Sequence, residues 1–129
     1  MLILTLSSPP PSSNGLFANV KRWSGDGDRK VPGRVKTEIY NRWRESAGWE
    51  IKAQRPEKVR GPVMIDLTVK RFSDRADIDG KIKAALDLLV WLQVIDDDRH
   101  VTEVRARWGD VPGCTIVITP MDEIERVPA

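Results

Sequence analysis

The chain has 129 residues, which suits one hydrophobic core and leaves little room for two. It is 40% hydrophobic and 31% charged, a balance that argues against a disordered or membrane-embedded chain. A formal net charge of only +2 does not announce a nucleic-acid binder, so any such case must rest on where the charges lie. Cys114 is the one cysteine, which excludes an intramolecular disulfide and a thiolate zinc cluster and makes the cytoplasm the expected location. No stretch approaches the roughly 20 apolar residues of a membrane span, and the apolar start at 1–6 is too short for a signal peptide.

Residues 1–6 read as a strand, broken by Pro9, Pro10 and Pro11. Residues 14–33 are polar, glycine-rich and basic, and are expected to form a long flexible loop. Residues 35–49 have helical spacing, with Val35, Ile39, Trp43 and Ala47 on one stripe and Gly48 as the stop. Residues 62–72 alternate: Val63, Ile65, Leu67 and Val69 point one way, Met64, Asp66, Thr68 and Lys70 the other, as in a half-buried strand. A short turn at 73–76 leads to a second helix over 77–92, with Ile78, Ile82, Leu86 and Leu89 as its buried stripe. Strands are expected at 101–108 and 114–119 around a turn at 109–113, with Cys114 buried. The tail, 121–129, is polar and expected to fray. This order predicts a single small α+β domain over 1–129, a mixed β-sheet with two main helices packed on it.

The chemistry centres on Asp77 and Asp79, where a turn enters the second helix, and on Asp96-Asp97-Asp98 just beyond that helix. Clustered carboxylates repel one another unless a divalent cation sits between them. Oxygen donors without histidine or thiolate partners suit Mg²⁺ or Mn²⁺, ions that drive phosphodiester hydrolysis. Asp79, Lys83 and Asp87 follow at i, i+4, i+8, so Lys83 projects on the side of Asp79 and faces a phosphate held there. Plainer accounts stay open. One of Asp77 and Asp79 serves as an N-cap, the aspartate triplet is a solvated turn, Lys83 belongs to a surface charge lattice, and His100 is a surface histidine.

The run Arg75-Ala76-Asp77-Ile78-Asp79-Gly80-Lys81-Ile82-Lys83, then Asp87, then Asp97-Asp98, resembles the RusA family of Holliday-junction resolvases. Its pattern is Arg-x-Asp-x-Asp-Asn-x-x-Lys followed by a further aspartate and an Asp-Asp pair. The segment Pro10-Pro11-Ser12-Ser13-Asn14 after the first strand is similar to the family's start. The departure is Gly80, which stands where the family has asparagine. The resemblance implies that Asp77, Asp79 and Asp98 are metal-binding catalytic residues, that Lys83 is the catalytic lysine and that Asp97 is a supporting carboxylate and metal ligand. It implies a Mg²⁺- or Mn²⁺-dependent endodeoxyribonuclease of DNA recombination and repair, a homodimer that nicks a four-way junction symmetrically.

Expected DNA contacts are Asn14, Lys21, Arg22, Arg29 and Lys30 in the basic stretch, and Lys70, Arg71, Arg75 and Lys81 beside the acidic motif. Trp23 has the chemistry to stack on an unpaired base. Leu88, Val90, Trp91 and Leu92 suit either the core or a dimer contact. Three rival functions remain at this level: a metal nuclease for flaps or other nucleic-acid structures, a non-catalytic branched-DNA binder, and a plain structural domain with a solvated acidic turn.

Overall fold

A computed structural model describes residues 1–11, 17–23, 30–36 and 38–125; the side chains of 17–23, 30–36 and 125 lie outside the description. The elements are β1 (Leu2–Leu6), β2 (Phe17–Trp23), β3 (Lys30–Lys36), α1 (Glu38–Ala53), β4 (Val63–Val69), α2 (Ile78–Trp91), β5 (Val101–Trp108), β6 (Cys114–Pro120) and α3 (Met121–Glu125). Four strands form a mixed sheet in the order β1-β6-β4-β5, and β2 pairs with β3 as a separate antiparallel ribbon. The fold is α+β, as expected.

β4 is the central strand. Its burial alternates without a break, with Val63, Ile65, Leu67 and Val69 all at 1% exposure or less. It pairs antiparallel with β6, Leu67 opposite Ile116, and parallel with β5, Leu67 opposite Ala106. The strands read from the sequence on either side of the 109–113 turn are therefore not neighbours: β4 lies between them. The parallel pair needs a crossover, and α2 supplies it. On the outer face Arg107 donates to both carboxylate oxygens of Asp66, at 2.6 and 3.1 Å, and to Thr68 Oγ1 at 3.2 Å, which ties β5 to β4 across the sheet.

The inner face carries Leu4 and Leu6 of β1, Cys114, Ile116 and Ile118 of β6, and the four β4 residues. Against it pack Ala47 and Ile51 of α1 and Ala85, Leu88 and Leu89 of α2. Burial pushes the Cys114 thiol up to about 12. β1 is an edge strand, and α1 closes its open side. Gln54 accepts from Thr5 N at 2.9 Å and donates to Thr5 O at 2.8 Å, and Glu50 accepts from Ser7 N at 3.1 Å. These bonds cover the C-terminal part of that edge against pairing with another strand.

Several expectations shift. Part of the expected 14–33 loop is the β2–β3 ribbon, where strand pairing satisfies backbone groups that glycine and lysine content alone did not forecast. Val35 belongs to β3, and α1 begins three residues later at Glu38. The inward face of α1 is Tyr40, Ala47, Gly48 and Ile51, while Ile39 is exposed. Gly48 does not stop the helix: a Cβ there would meet the Trp91 ring at 3.3 Å and Leu92 at 3.4 Å, so its missing side chain lets α1 and α2 approach. α1 ends instead with Arg55 at φ 51 before Pro56, which cannot continue a helix.

α2 is rotated from its expected stripe. Its buried residues are Gly80, Lys81, Ala84, Ala85, Leu88 and Leu89, with Ile82 and Leu86 only partly buried. It closes in a Schellman turn: Gln93 has φ 60 and bonds Val90 O, and Val94 N bonds Leu89 O at 2.9 Å. Leu88 is core, Val90 and Leu92 pack against it, and Trp91 alone of that group is largely exposed, with the Arg44 guanidinium 4.3 Å over its ring. The start of the expected frayed tail is the short helix α3, tied to the chain start by Glu123, which accepts from the Met1 amine at 3.1 Å.

Two glycines in the β5–β6 connection separate a costly substitution from a cheaper one. A Cβ at Gly113 would stand 2.4 Å from Ser8 N and 2.5 Å from Ser7 C, both backbone, whereas one at Gly109 meets a single side-chain atom, the Thr68 methyl, at 2.5 Å. Gly113→Ala is expected to lower stability in urea unfolding by about 2–3 kcal/mol, and Gly109→Ala by roughly 1 kcal/mol. The Cys114 thiol is expected to ignore a thiol reagent at pH 8 in the native protein and to react once the chain is unfolded in guanidinium.

Candidate active site

The start of α2 leaves its acids free of structural duty. Asp77 occupies the N-cap position with φ −100 and ψ 134, yet its side chain makes no capping hydrogen bond. The capping account of Asp77 thus fails, and its exposed carboxylate faces water at the positive end of a helix. Asp79 is exposed in the first turn. Asp79, Lys83 and Asp87 line the face of α2 opposite its buried residues, with Lys83 exposed and Asp87 half-buried.

The three aspartates beyond α2 have three different fates. Asp96 forms an ion pair with Lys58 of the α1–β4 linker, which holds its carboxyl below the usual range, with Arg60 adding to the effect. The linker is fixed alongside by a parallel bridge between Val59 and Ile95. Asp97 caps a single 3₁₀ turn over Asp98–His100, its Oδ1 accepting from Arg99 N at 3.1 Å. That backbone bond comes first in holding its carboxyl low, followed by a hydrogen bond shared with Asp98. Asp98 is pushed the other way, first by the carboxyl of Asp97, then by desolvation and by the negative charges of Asp97 and Asp87. The sequence left the register of the triplet open. Here Asp96 is taken by Lys58, and the crowded pair is Asp97 and Asp98.

Of this pair, Asp98 also feels the charge of Asp87, in the second half of α2. Asp79 and Asp87 are eight residues apart, about 12 Å along a helix axis. Among the described residues no three acidic, histidine or cysteine side chains stand close enough to hold one metal ion. The donor chemistry nonetheless fits a hard divalent cation: the groups are carboxylates only, and a cation beside Asp98 would relieve the crowding that raises it. His100 adjoins the group, half-buried rather than on the open surface, with its Nδ1 shielded from water and without a hydrogen-bond partner among the described residues.

The expected DNA-contacting cations sort by what they already touch. Lys81 is 9% exposed on the inner face of α2, where its Nζ donates to Pro10 O, and burial lowers its pKa. It anchors the proline segment to α2 and is not displayed to a ligand, a correction that follows from the rotation of the helix. Arg71 donates to Ser73 O at 3.1 Å and Asp74 O at 2.9 Å and lies over the Trp108 ring, so it braces the turn before α2. Lys70 sits 5.2 Å from the ring centre of Phe72. Arg75 is exposed. Lys21, Arg22, Trp23 and Lys30 belong to the β2–β3 ribbon, with Trp23 opposite Lys30, and only their backbone is described. Asn14 and Arg29 lie outside the described residues. Lys58 and Arg60 adjoin the acidic turn and were missed, since nothing in a charged linker reveals that it pairs with residues 93–96.

A cleft of about 860 Å³ lined by Met1, Gln54, Arg55, Lys58, Arg60 and Met121 includes none of these aspartates. Asp77, Asp79 and Asp98 stand on open surface, which a bulky substrate can reach. A family model described as endodeoxyribonuclease RusA matches residues 9–119. The chain belongs to the RusA family. No curated protein matches it. The family's members are endodeoxyribonucleases that act on branched DNA, and the match spans the proline segment, both acidic groups and three strands of the four-stranded sheet, leaving out β1 and the last residue of β6.

Lys81 and Arg75 provide a direct check on which cations meet DNA. Arg75→Ala is expected to lower the slope of log affinity against log salt on duplex DNA by about one, and Lys81→Met to leave that slope unchanged.

Proposed function

We propose that this RusA-family protein is a Mg²⁺- or Mn²⁺-dependent resolvase. It would cut Holliday junctions by paired symmetric nicks during DNA recombination and repair, acting as a homodimer in the cytoplasm. The observation that carries the reading is the division of the acids. Asp96 and its lysine are spent on structure, whereas Asp77, which makes no capping bond, and Asp79 keep exposed carboxylates at the start of α2, and Asp98, though hydrogen-bonded to Asp97, is exposed as well. No helix among the described residues is long and apolar enough to cross a membrane.

In this reading Asp77, Asp79, Asp97 and Asp98 are the carboxylates that would hold the divalent ion. When bound, the ion supplies a water of lowered pKa and neutralises charge on the phosphate oxygens. Lys83 shares the exposed face of α2 with Asp79 and directs an ammonium at the phosphate, where it stabilises developing charge or protonates the leaving oxygen. Arg75, with Lys70, supplies phosphate contacts at the entry to α2, and Asn14, Lys21, Arg22, Arg29 and Lys30 extend them along the duplex arms. A two-fold dimer gives two such sites, which matches the symmetry of a four-way junction.

The second reading is a branched-DNA binder that does not cut. It draws on the lack of a three-carboxylate group within the described residues and on Gly80 in place of asparagine. Cleavage of an end-labelled synthetic four-way junction in Mg²⁺ separates the two. Paired nicks on the junction, spared on linear duplex, are expected. Asp79→Asn and Asp98→Asn should each lower the rate by about 10²-fold or more. Asp96→Asn should stay within a few-fold of the parent, because that carboxylate serves Lys58. A junction bound but never cut by the parent would establish the binder.

A further inference from the structure

Phe72 is a large aromatic side chain that the core does not use: it is 68% exposed. It stands on the stretch between β4 and α2, and that stretch is held firmly at several points. Lys70 N donates to Gly113 O at 2.9 Å, which anchors its beginning. Arg71 bonds the carbonyls of Ser73 and Asp74 and rests on the Trp108 ring, 5.2 Å from its centre. Ser73 closes the turn, its carbonyl accepting from Ala76 N at 3.1 Å and its hydroxyl from Arg75 N at 3.2 Å. An exposed ring on a braced turn loses little further freedom when it binds something, so its burial contributes almost in full.

The surroundings say what it would bind. The described chain neighbours of Phe72 give it no apolar rim. Its chain neighbours Arg71, Ser73, Asp74 and Arg75 are all exposed, and the Lys70 ammonium lies 5.2 Å from its ring centre. A protein-binding anchor is set in an apolar patch that excludes water. A single ring among cations instead matches a nucleotide, whose base offers a flat π-face and whose phosphate offers the opposite charge. The ring is five residues before Asp77, within about 17 Å even for a fully extended chain. Whatever it holds is therefore held on the approach to the carboxylates at the entry to α2, within that distance of Asp77.

We propose that Phe72 is a stacking subsite for a base unpaired at the branch point of the DNA substrate, with Lys70 and Arg75 meeting the adjoining phosphates. Phe72 then acts as a specificity-determining residue. A continuous duplex keeps its bases stacked on one another and offers nothing to the ring, whereas a branch point exposes a base face. The inference rests on the nuclease reading above and adds to it the means by which branched DNA is told from linear DNA.

The test measures binding with the full-length Asp79→Asn protein, so that cleavage does not intervene. The probes are a four-way junction carrying a fluorescent adenine analogue at the crossover and a linear duplex with the same label. The parent should brighten or quench the junction label and bind the junction more tightly than the duplex. Phe72→Ala should weaken junction binding about ten- to a hundred-fold and suppress the fluorescence change, with duplex affinity within two-fold of the parent. Phe72→Trp should restore both. Because the ring is exposed, Phe72→Ala should melt with the parent. Equal junction affinity and equal fluorescence change in Phe72→Ala would overturn the proposal, as would an equal loss on junction and duplex. A parent that binds the junction no better than the duplex would remove the branched-DNA reading on which the inference rests, and the inference with it.

Discussion

The parallel pairing of β4 with β5 is the constraint from which the site follows. Two adjacent parallel strands cannot be joined by a tight turn, so the chain must cross the sheet between them. Here the crossover is α2, whose apolar side buries Ala85, Leu88 and Leu89 against the β4 alternation. Both acidic groups are consequences of that one connection. Asp77 and Asp79 stand where the chain enters the helix, and Asp97 and Asp98 where it turns back into β5. The family motif is a run of residues in sequence, yet in space it is the two ends and the outer face of a single crossover.

The same connection explains why some charged groups are available for chemistry and others are not. The inner side of α2 takes in Lys81, which must find an acceptor because a buried ammonium without one is costly, and Pro10 O provides it. The outer side leaves Asp79 and Lys83 facing water. Beyond the helix, Lys58 neutralises Asp96 and the 3₁₀ turn absorbs one oxygen of Asp97. Asp98 remains beside the like charges of Asp97 and Asp87, which raise its carboxyl. Local backbone needs and cross-chain ion pairs thus separate, among five neighbouring aspartates, those engaged in the fold from those left exposed.

Basic residues divide in a similar way. Arg71 resembles a DNA contact in a list of cations, yet its guanidinium is committed to two carbonyls and an indole ring. Such commitments stiffen the turn before α2 and hold out the neighbouring side chains of Phe72 and Arg75. In the proposed reading, where Phe72 and Arg75 meet DNA, that rigidity helps, since groups that contact a substrate are most effective when they need no rearrangement.

Much of this was legible from the residues alone. Alternation identified β4 and its inward face, the apolar run marked β6, and the Asp77–Lys83 motif pointed to the family. Patterns of period two survive folding because a half-buried strand has only two faces to choose from. Helical phase was less secure. Both helices are rotated by about one residue from their expected stripes, because the inward face also accepts Tyr40, Gly48 and Lys81, residues that hydrophobicity alone would not place there. The β2–β3 ribbon, the insertion of β4 between β5 and β6, the Lys58–Asp96 pair and the approach of Asp98 to Asp87 were decided only by tertiary structure. Each depends on residues far apart in the chain meeting in space, and composition, period and motif report only on neighbours along it.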